Sequence, residues 1–427
     1  MSVLLGVPAD PDKAMVRRRD WYIIALVGAA HACSHFFQLV IPTLYLSLAH
    51  DYGYDFAQLG LLASIFFLMS SIGQASSGFV VDRVGATPVL WLGLGCFVLS
   101  GLLIAGSNGY WMLAMAAAVG GIGNAVFHPV DYSILNHRVS PERLGHGFST
   151  HGLTGNLGWA LAPLYMAFFI QVSGWRTAAV AASILVAVVL VLTWLGRELL
   201  SGSEPVAKAP KEKTGNEADS SALGALHTLR TLVSQPALWG AFLFFACTSI
   251  SLSAIQSFTI PMLGTVYGVD KLLAGSALSS YMVAGAIGII GGGFLVSSTP
   301  RSEITVFLSL VMAALCFMLL ASGWMGPLSA MGMVAMAGFF SGVAGPSRDM
   351  LIRRVAPKGA TGTVYGLVYS GMDIGASLGP VAFGLMLDHG LTRGPWMGAA
   401  LSFFMAALLA MAVGRAATAR VMCATSG

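Results

Sequence analysis

Long apolar runs dominate this chain and leave it few ways to fold. A helix that crosses a bilayer needs about 20 mostly apolar residues, and twelve stretches of that kind can be marked out. In the first half they cover about 21–49, 56–81, 87–106, 110–135, 145–172 and 176–196. In the second they cover about 237–266, 272–297, 302–322, 327–351, 360–387 and 394–413. Inside hydrocarbon every backbone N–H and C=O must find a partner within the protein, so only helices and closed barrels span membranes. Runs of this length are too long for barrel strands. The expected fold is an all-α integral membrane protein with twelve transmembrane helices.

The charged fraction supports this, since 9% of the 427 residues are Asp, Glu, Lys or Arg against about 25% in soluble domains. The net charge of +4 needs no nucleic-acid partner, because the basic residues are sorted by loop. With the N-terminus, the central hydrophilic segment and the C-terminus in the cytoplasm, 19 of the 22 Lys and Arg fall on the cytoplasmic side. Only Arg176, Lys271 and Arg393 fall outside. Cytoplasmic loops carry such an excess of cations, which favours this orientation and an even number of spans. Arg17, Arg18 and Arg19 precede an apolar run from Trp21 to about Ala49. That run is far longer than the roughly 7–15 residues of a signal peptide core, so it reads as a retained first span. The five cysteines are scattered without ligand or disulfide spacing, and most read as small apolar packers.

The two halves echo one another. Arg138-Val-Ser-Pro141 after span 4 returns as Arg354-Val-Ala-Pro357 after span 10. Gly155-Asn156-Leu-Gly158 with Pro163 in span 5 matches Met372-Asp373-Ile-Gly375 with Pro380 in span 11. Parallel six-span repeats place a site near the midplane between the halves. The expected organisation is a six-helix bundle at 1–196, a cytoplasmic linker at 197–235 rich in Ser, Pro and Lys, and a second six-helix bundle at 236–427.

Gly78-Phe-Val-Val-Asp82-Arg83-Val-Gly85, between spans 2 and 3, resembles the signature loop of the major facilitator superfamily. Ala86 and Thr87 stand where that pattern continues with basic residues. Gly121-Ile-Gly-Asn-Ala-Val-Phe127-His128-Pro129, the Gly155–Pro163 motif, and His31 and His35 ahead of Ile41-Pro42 resemble the fosmidomycin-resistance branch. The resemblance implies the major facilitator fold, with two pseudo-symmetric bundles, proton-coupled efflux, and a multi-pass place in a bacterial inner membrane. It does not carry a substrate across.

Ionisable groups inside a bilayer are expensive and by default face a bundle interior or a water-filled cavity. His31 and His35 share one helical face, and near neutral pH such a pair can take up protons and bind an anion. The alternative is a pair that merely packs. His128 and Asp131 form a possible proton carrier at adjoining positions of one face, or a self-neutralising structural pair. His151 either joins that cavity or bonds a neighbouring carbonyl. Asn156 and its repeat counterpart Asp373 read as lining or gating residues. Arg348 is an anion contact or the partner of Asp349. Asp82 and Arg83 read as conformational latches through charge–dipole contacts.

The leading function is a proton-coupled secondary transporter of a small organic solute, anionic or zwitterionic, with export favoured. The first helix offers histidines and no acid, whereas a carrier of lipophilic cations needs a buried carboxylate; Asp131 and Asp373 keep a cationic substrate open. Uptake stays open, as does transport of a transition metal or its chelate, since imidazole suits zinc, copper, nickel and iron. No nucleophile elbow, phosphate loop or metal-binding helix motif occurs, so an enzyme is not expected. Nor is a cofactor, a resident metal or a nucleic-acid partner. The expected partners are the solute, protons and the lipid bilayer, and the expected state is a monomer.

Overall fold

A computed structural model describes residues 11–201, 236–299, 301–355 and 361–425. Most of the expected linker, 202–235, lies outside the described residues, as does Pro357 of the Arg354–Pro357 echo. Among the described residues the chain is helical, with no strand.

The first span is built from α1 (Pro11–Gln38), α2 (Val40–Thr43) and α3 (Tyr45–Tyr52). Spans 2 and 3 are α4 (Phe56–Val84) and α5 (Ala86–Ala105). The fourth span is α6 (Tyr110–Asn124) followed by α7 (Phe127–Arg138). Both broken spans have the same cause. A proline has no N–H to offer the carbonyl four residues back, and its ring crowds that carbonyl. For Pro42 that residue is Gln38, where α1 ends; for Pro129 it is Ala125, just past the end of α6.

Spans 5 and 6 form one long element, α8 (Pro141–Leu195), broken at Gly174 with φ 83°. That left-handed conformation suits glycine, which has no Cβ to clash. After the short α9 (Arg197–Leu200), the second half comprises α10 (Pro236–Tyr267), α11 (Lys271–Ser298), α12 (Ser302–Ser322), α13 (Pro327–Val355), α14 (Thr361–Asp388) and α15 (Gly394–Thr425). Among the described residues, ten helical stretches are long and apolar enough to cross a membrane. The turn at Gly174 makes two crossings of α8, and the proline-broken first span supplies the twelfth.

In the first half α1 and α5 pack on α8, and α4 and α5 pack on α6. In the second, α10 packs on α14 and α15, while α13 packs on α11 and α12. Glycines set the closest of these approaches, as expected for helices packed without a hydrophobic driving force. A Cβ on Gly288 of α11 would run into the Phe339 carbonyl of α13, and one on Gly121 of α6 into the Phe66 carbonyl of α4.

The halves meet where α4 faces α14 and α8 faces α11. Their close contacts lie toward the end of the bundle remote from the termini. A Cβ on Gly60 would strike the Pro380 carbonyl, and one on Gly384 the Phe56 carbonyl. The Phe258 ring sits 5.7 Å from Tyr45 and 6.2 Å from Phe56. Asp388, at the end of α14, accepts hydrogen bonds from the Phe56 N–H at 2.8 Å and the Ala57 N–H at 2.7 Å. A carboxylate from one half therefore caps a helix of the other, where it meets the positive end of the helix dipole. Asp55 completes the same helix start by accepting from the Gln58 N–H at 2.7 Å.

Candidate functional site

Four histidines and one aspartate converge inside the first bundle. His31 and His35 come from α1, His128 and Asp131 from α7, and His151 from α8. Asp131 is fully buried. One of its oxygens, Oδ2, lies 3.1 Å from His151 Nε2 and 3.0 Å from His31 Nδ1. The His151 contact is a hydrogen bond. The His31 nitrogen is at ion-pair distance but out of line for a hydrogen bond, and Asp131 Oδ1 has no partner among the described residues. The His31 and His151 rings stack at 3.5 Å, with His35 at 4.6 Å and His128 at 5.3 Å from His31.

His128 differs from the others because its ring is exposed. It lies among the buried imidazoles yet opens on the accessible side of the cluster. Tyr132, one turn further along α7, stacks on His128 at 6.1 Å and sits 5.0 Å from the His151 ring. Burying a carboxylate is costly unless it is paired and hydrogen-bonded, and here two imidazoles face a single oxygen. The position of Gly155 explains how the rings fit. A Cβ there would stand 2.9 Å from His35 Cε1 and 3.0 Å from His31 Nε2, so a glycine lets α8 cover the pair without displacing the rings.

The sequence reading pairs His128 with Asp131 along one helix. The two do interact electrostatically, but the direct contacts of Asp131 come from His31 and His151 on other helices. Asn156 lies outside the cluster and donates to the Gly152 carbonyl at 3.0 Å. Asp373 is on α14 in the other half, beside the Ser71 hydroxyl of α4. Arg348 bonds Asp349 at 2.8 Å and lies 5.2 Å from the Phe245 ring, which is the local pair weighed against an anion contact. Asp82 and Arg83 are exposed at the end of α4 and form no ion pair with another described residue.

A neutral network next to the cluster went unread. Asn124 Oδ1 accepts from Ser34 Oγ at 2.9 Å and Gln38 Nε2 at 3.2 Å, and its Nδ2 donates to Ser70 Oγ at 2.8 Å. Gln38 Oε1 in turn accepts from the Trp159 indole at 2.9 Å, and that ring lies 4.1 Å from His35. The available signal was an asparagine at the end of an otherwise apolar span. At the end of the bundle that carries the termini, Asp20 is fully buried and bonds Arg143 Nε at 2.9 Å and the Ser140 hydroxyl. Burial pushes its carboxyl up, but the hydrogen bonds from Ser140 and Arg143 outweigh that and hold it below the ordinary value.

His31, His128 and His151 each offer a ring nitrogen, and these atoms lie within 4.8 Å of one another, a spacing that could hold a metal ion. The same nitrogens can take up and release protons or receive an anion.

The chain resembles several characterised proteins along most of its length. It is 27% identical over 393 residues to the fosmidomycin resistance protein of Escherichia coli, covering 90% of each chain. It is 27% identical over 372 residues to the membrane sensor protein UhpC of Salmonella typhimurium, covering 84% of this chain and 81% of that one. A probable L-galactonate transporter of Escherichia coli is 22% identical over 404 residues, with 90% and 87% covered. Among solved structures, a bacterial homolog of the human lysosomal transporter Spinster, inward-facing and unoccupied, superposes with a TM-score of 0.70 at 16% identity. That match covers 93% of this chain and 96% of the other and shows the shared fold. The sequence profile of the Major Facilitator Superfamily matches residues 24–380 and 255–421. This all-helical chain belongs to the Major Facilitator Superfamily and is a membrane transporter, not an enzyme.

Proposed function

We propose that this transporter moves a small organic anion or zwitterion in exchange for protons, by alternating access to a site between the two halves. The observation that carries the reading is the buried Asp131 carboxylate held by His31 and His151, with His128 exposed beside them. A proton arriving at His128 has His151, His31 and His35 within ring-contact distance and Asp131 behind them, with Tyr132 facing the same group. Loading the imidazoles makes the cavity cationic and attracts an anion; releasing the protons discharges it. Coupling of this kind needs groups whose charge changes near neutral pH, as imidazoles do.

The names of the relatives fit an anionic cargo. Galactonate is a carboxylate, and another relative, 24% identical over 292 residues, is a probable hexose phosphate transport protein. The fosmidomycin resistance protein favours export as the direction. The two halves, proposed at 1–196 and 236–427 on either side of the linker, rock about the site with both termini cytoplasmic in the cell membrane. Asp373 and Asn156 line the path outside the cluster, and Asp82 and Arg83 serve the gate at the terminus end.

The test is proton flux in proteoliposomes holding the purified protein, with a panel of sugar acids, sugar phosphates, phosphonates, cationic dyes and divalent metals. Flux driven by an anion, lost in Asp131→Asn and His128→Ala while both variants remain monodisperse, is the expected result. Anion-driven flux that survives both substitutions refutes the proton role of the cluster. The 4.8 Å nitrogen set favours a second reading, transport of a transition metal or its chelate. Flux that appears only with metals selects that reading. Solute binding without any flux would instead place this chain with the sensor relatives.

A further inference from the structure

The outer surface of the second half carries a cavity of about 790 Å³ between α12, the end of α14 and the start of α15. Its walls are apolar, formed chiefly by Leu315 and Met318 from α12 and by Met397, Leu401 and Phe404 from α15. All five are exposed on the bundle exterior, in the band that meets lipid tails. The lining residues with polar side chains are Thr392 and Arg393, both at its mouth.

Three observations say what fills it. The first is depth. Gly394 to Phe404 is ten residue-to-residue steps along α15, about 15 Å at 1.5 Å per residue, or half of a hydrocarbon core about 30 Å thick. The cavity thus runs from the interface to the midplane and matches one leaflet.

The second is charge. Arg393 is exposed at the mouth and donates from Nη1 to the Ser322 carbonyl at 2.8 Å. A guanidinium has five N–H donors. Among the described residues no carboxylate lies within ion-pair distance of it, and Asp388, five residues earlier, bonds the start of α4.

The third is contrast. Arg176, also assigned to this side by the sequence, has both terminal nitrogens occupied by the Ala105 carbonyl and the Tyr52 hydroxyl, and its guanidinium rests on the Trp175 ring. Arg393 rests its guanidinium against Gly323 and makes the Ser322 bond from Nη1, but among the described residues no aromatic ring covers it and the residue stays exposed.

The geometry points to a binding site for an anionic phospholipid, with an acyl chain in the groove and the headgroup phosphate on Arg393 and Thr392. Arginine recognises phosphate through paired hydrogen bonds, and the groove supplies the apolar surface that orients the lipid. The site goes beyond solute transport and does not depend on the proton reading, because binding is measured without flux.

Native mass spectrometry of the full-length protein released from detergent micelles, titrated with dioleoyl-phosphatidylglycerol or dioleoyl-phosphatidylcholine, tests it. The anionic lipid is expected to bind roughly tenfold more tightly, the equivalent of about 1.4 kcal/mol from charge-assisted contacts. Arg393→Gln should bring the two lipids level, whereas Arg393→Lys, which keeps the charge but alters the Ser322 contact, should retain most of the preference. Leu315→Trp, which fills the groove, should weaken both lipids. Equal binding of the two lipids by the unaltered protein overturns the proposal. So does a preference that survives Arg393→Gln, or binding of both lipids unaffected by Leu315→Trp.

Discussion

Replacing Asp388 by alanine removes both hydrogen bonds that tie the end of α14 to the first turn of α4, at 2.8 and 2.7 Å. Hydrogen bonds to a charged group contribute about 1.5–3 kcal/mol each in general, but Asp388 is exposed, where charged contacts fall to about 0.2–1 kcal/mol. A carboxylate at a helix N-terminus adds about 0.3–1 kcal/mol at the surface. Two bonds and the dipole together come to about 1.4 kcal/mol, which is a tenfold change in an equilibrium constant. All of it favours the arrangement in which the halves are closed at this end, so Asp388→Ala should raise the fraction open there about tenfold. Ser257, 3% exposed beside Phe258 in the closed seam, reports the opening when replaced by cysteine in a chain whose native cysteines are removed. An impermeant maleimide added on the side opposite the termini should label Ser257→Cys about ten times faster with Asp388→Ala, and Asp388→Asn should fall between. An unchanged labelling rate in folded protein would refute the idea that this cap holds the halves together.

Two further outcomes follow from particular contacts. Gly155→Ala should leave the bundle assembled but cut transport, because its methyl group would press on His35 Cε1 at 2.9 Å and His31 Nε2 at 3.0 Å; initial rates against protein level check this, and full activity would show that the ring positions do not matter. Folding lowers the Asp20 pKa, so the unfolded chain takes the proton first, and the stability this carboxylate confers is complete above about pH 4. The thermal-stability gap between the unaltered protein and Asp20→Asn should be flat from about pH 5 to 8 and shrink as pH falls below about 4; a gap that does not shrink would refute the ionic role.

Much of the fold was legible because one force dominates it. Apolar runs near the bilayer length mark the spans, and the two that break do so where Pro42 and Pro129 withdraw an N–H from the residue four positions back. The members of the candidate site were legible too, since histidines and an aspartate stand out in apolar sequence. Their partners were not. Asp131 lies next to His128 on one helix, and local spacing offers that pair first, yet its contacts come from His31, 100 residues away, and His151, 20 residues away. The Ser34–Gln38–Ser70–Asn124–Trp159 network escaped because neutral polar side chains are ordinary in helices until four helices bring them together. The Asp388 cap, 332 residues from Phe56, has no local signature.

The two proline breaks also divide the molecule by level. His31 and His35 precede the break in the first span, while His128 and Asp131 follow the break in the fourth, so all four lie on the terminus side, as does His151 near the start of α8. Gln38, Asn124 and Trp159 sit at the level of the breaks. The first bundle is therefore zoned like a canal lock, with an ionisable basin below a neutral sill. Ionisable and neutral polar groups thus stand at different depths of the same bundle, and either zone can be substituted separately from the other.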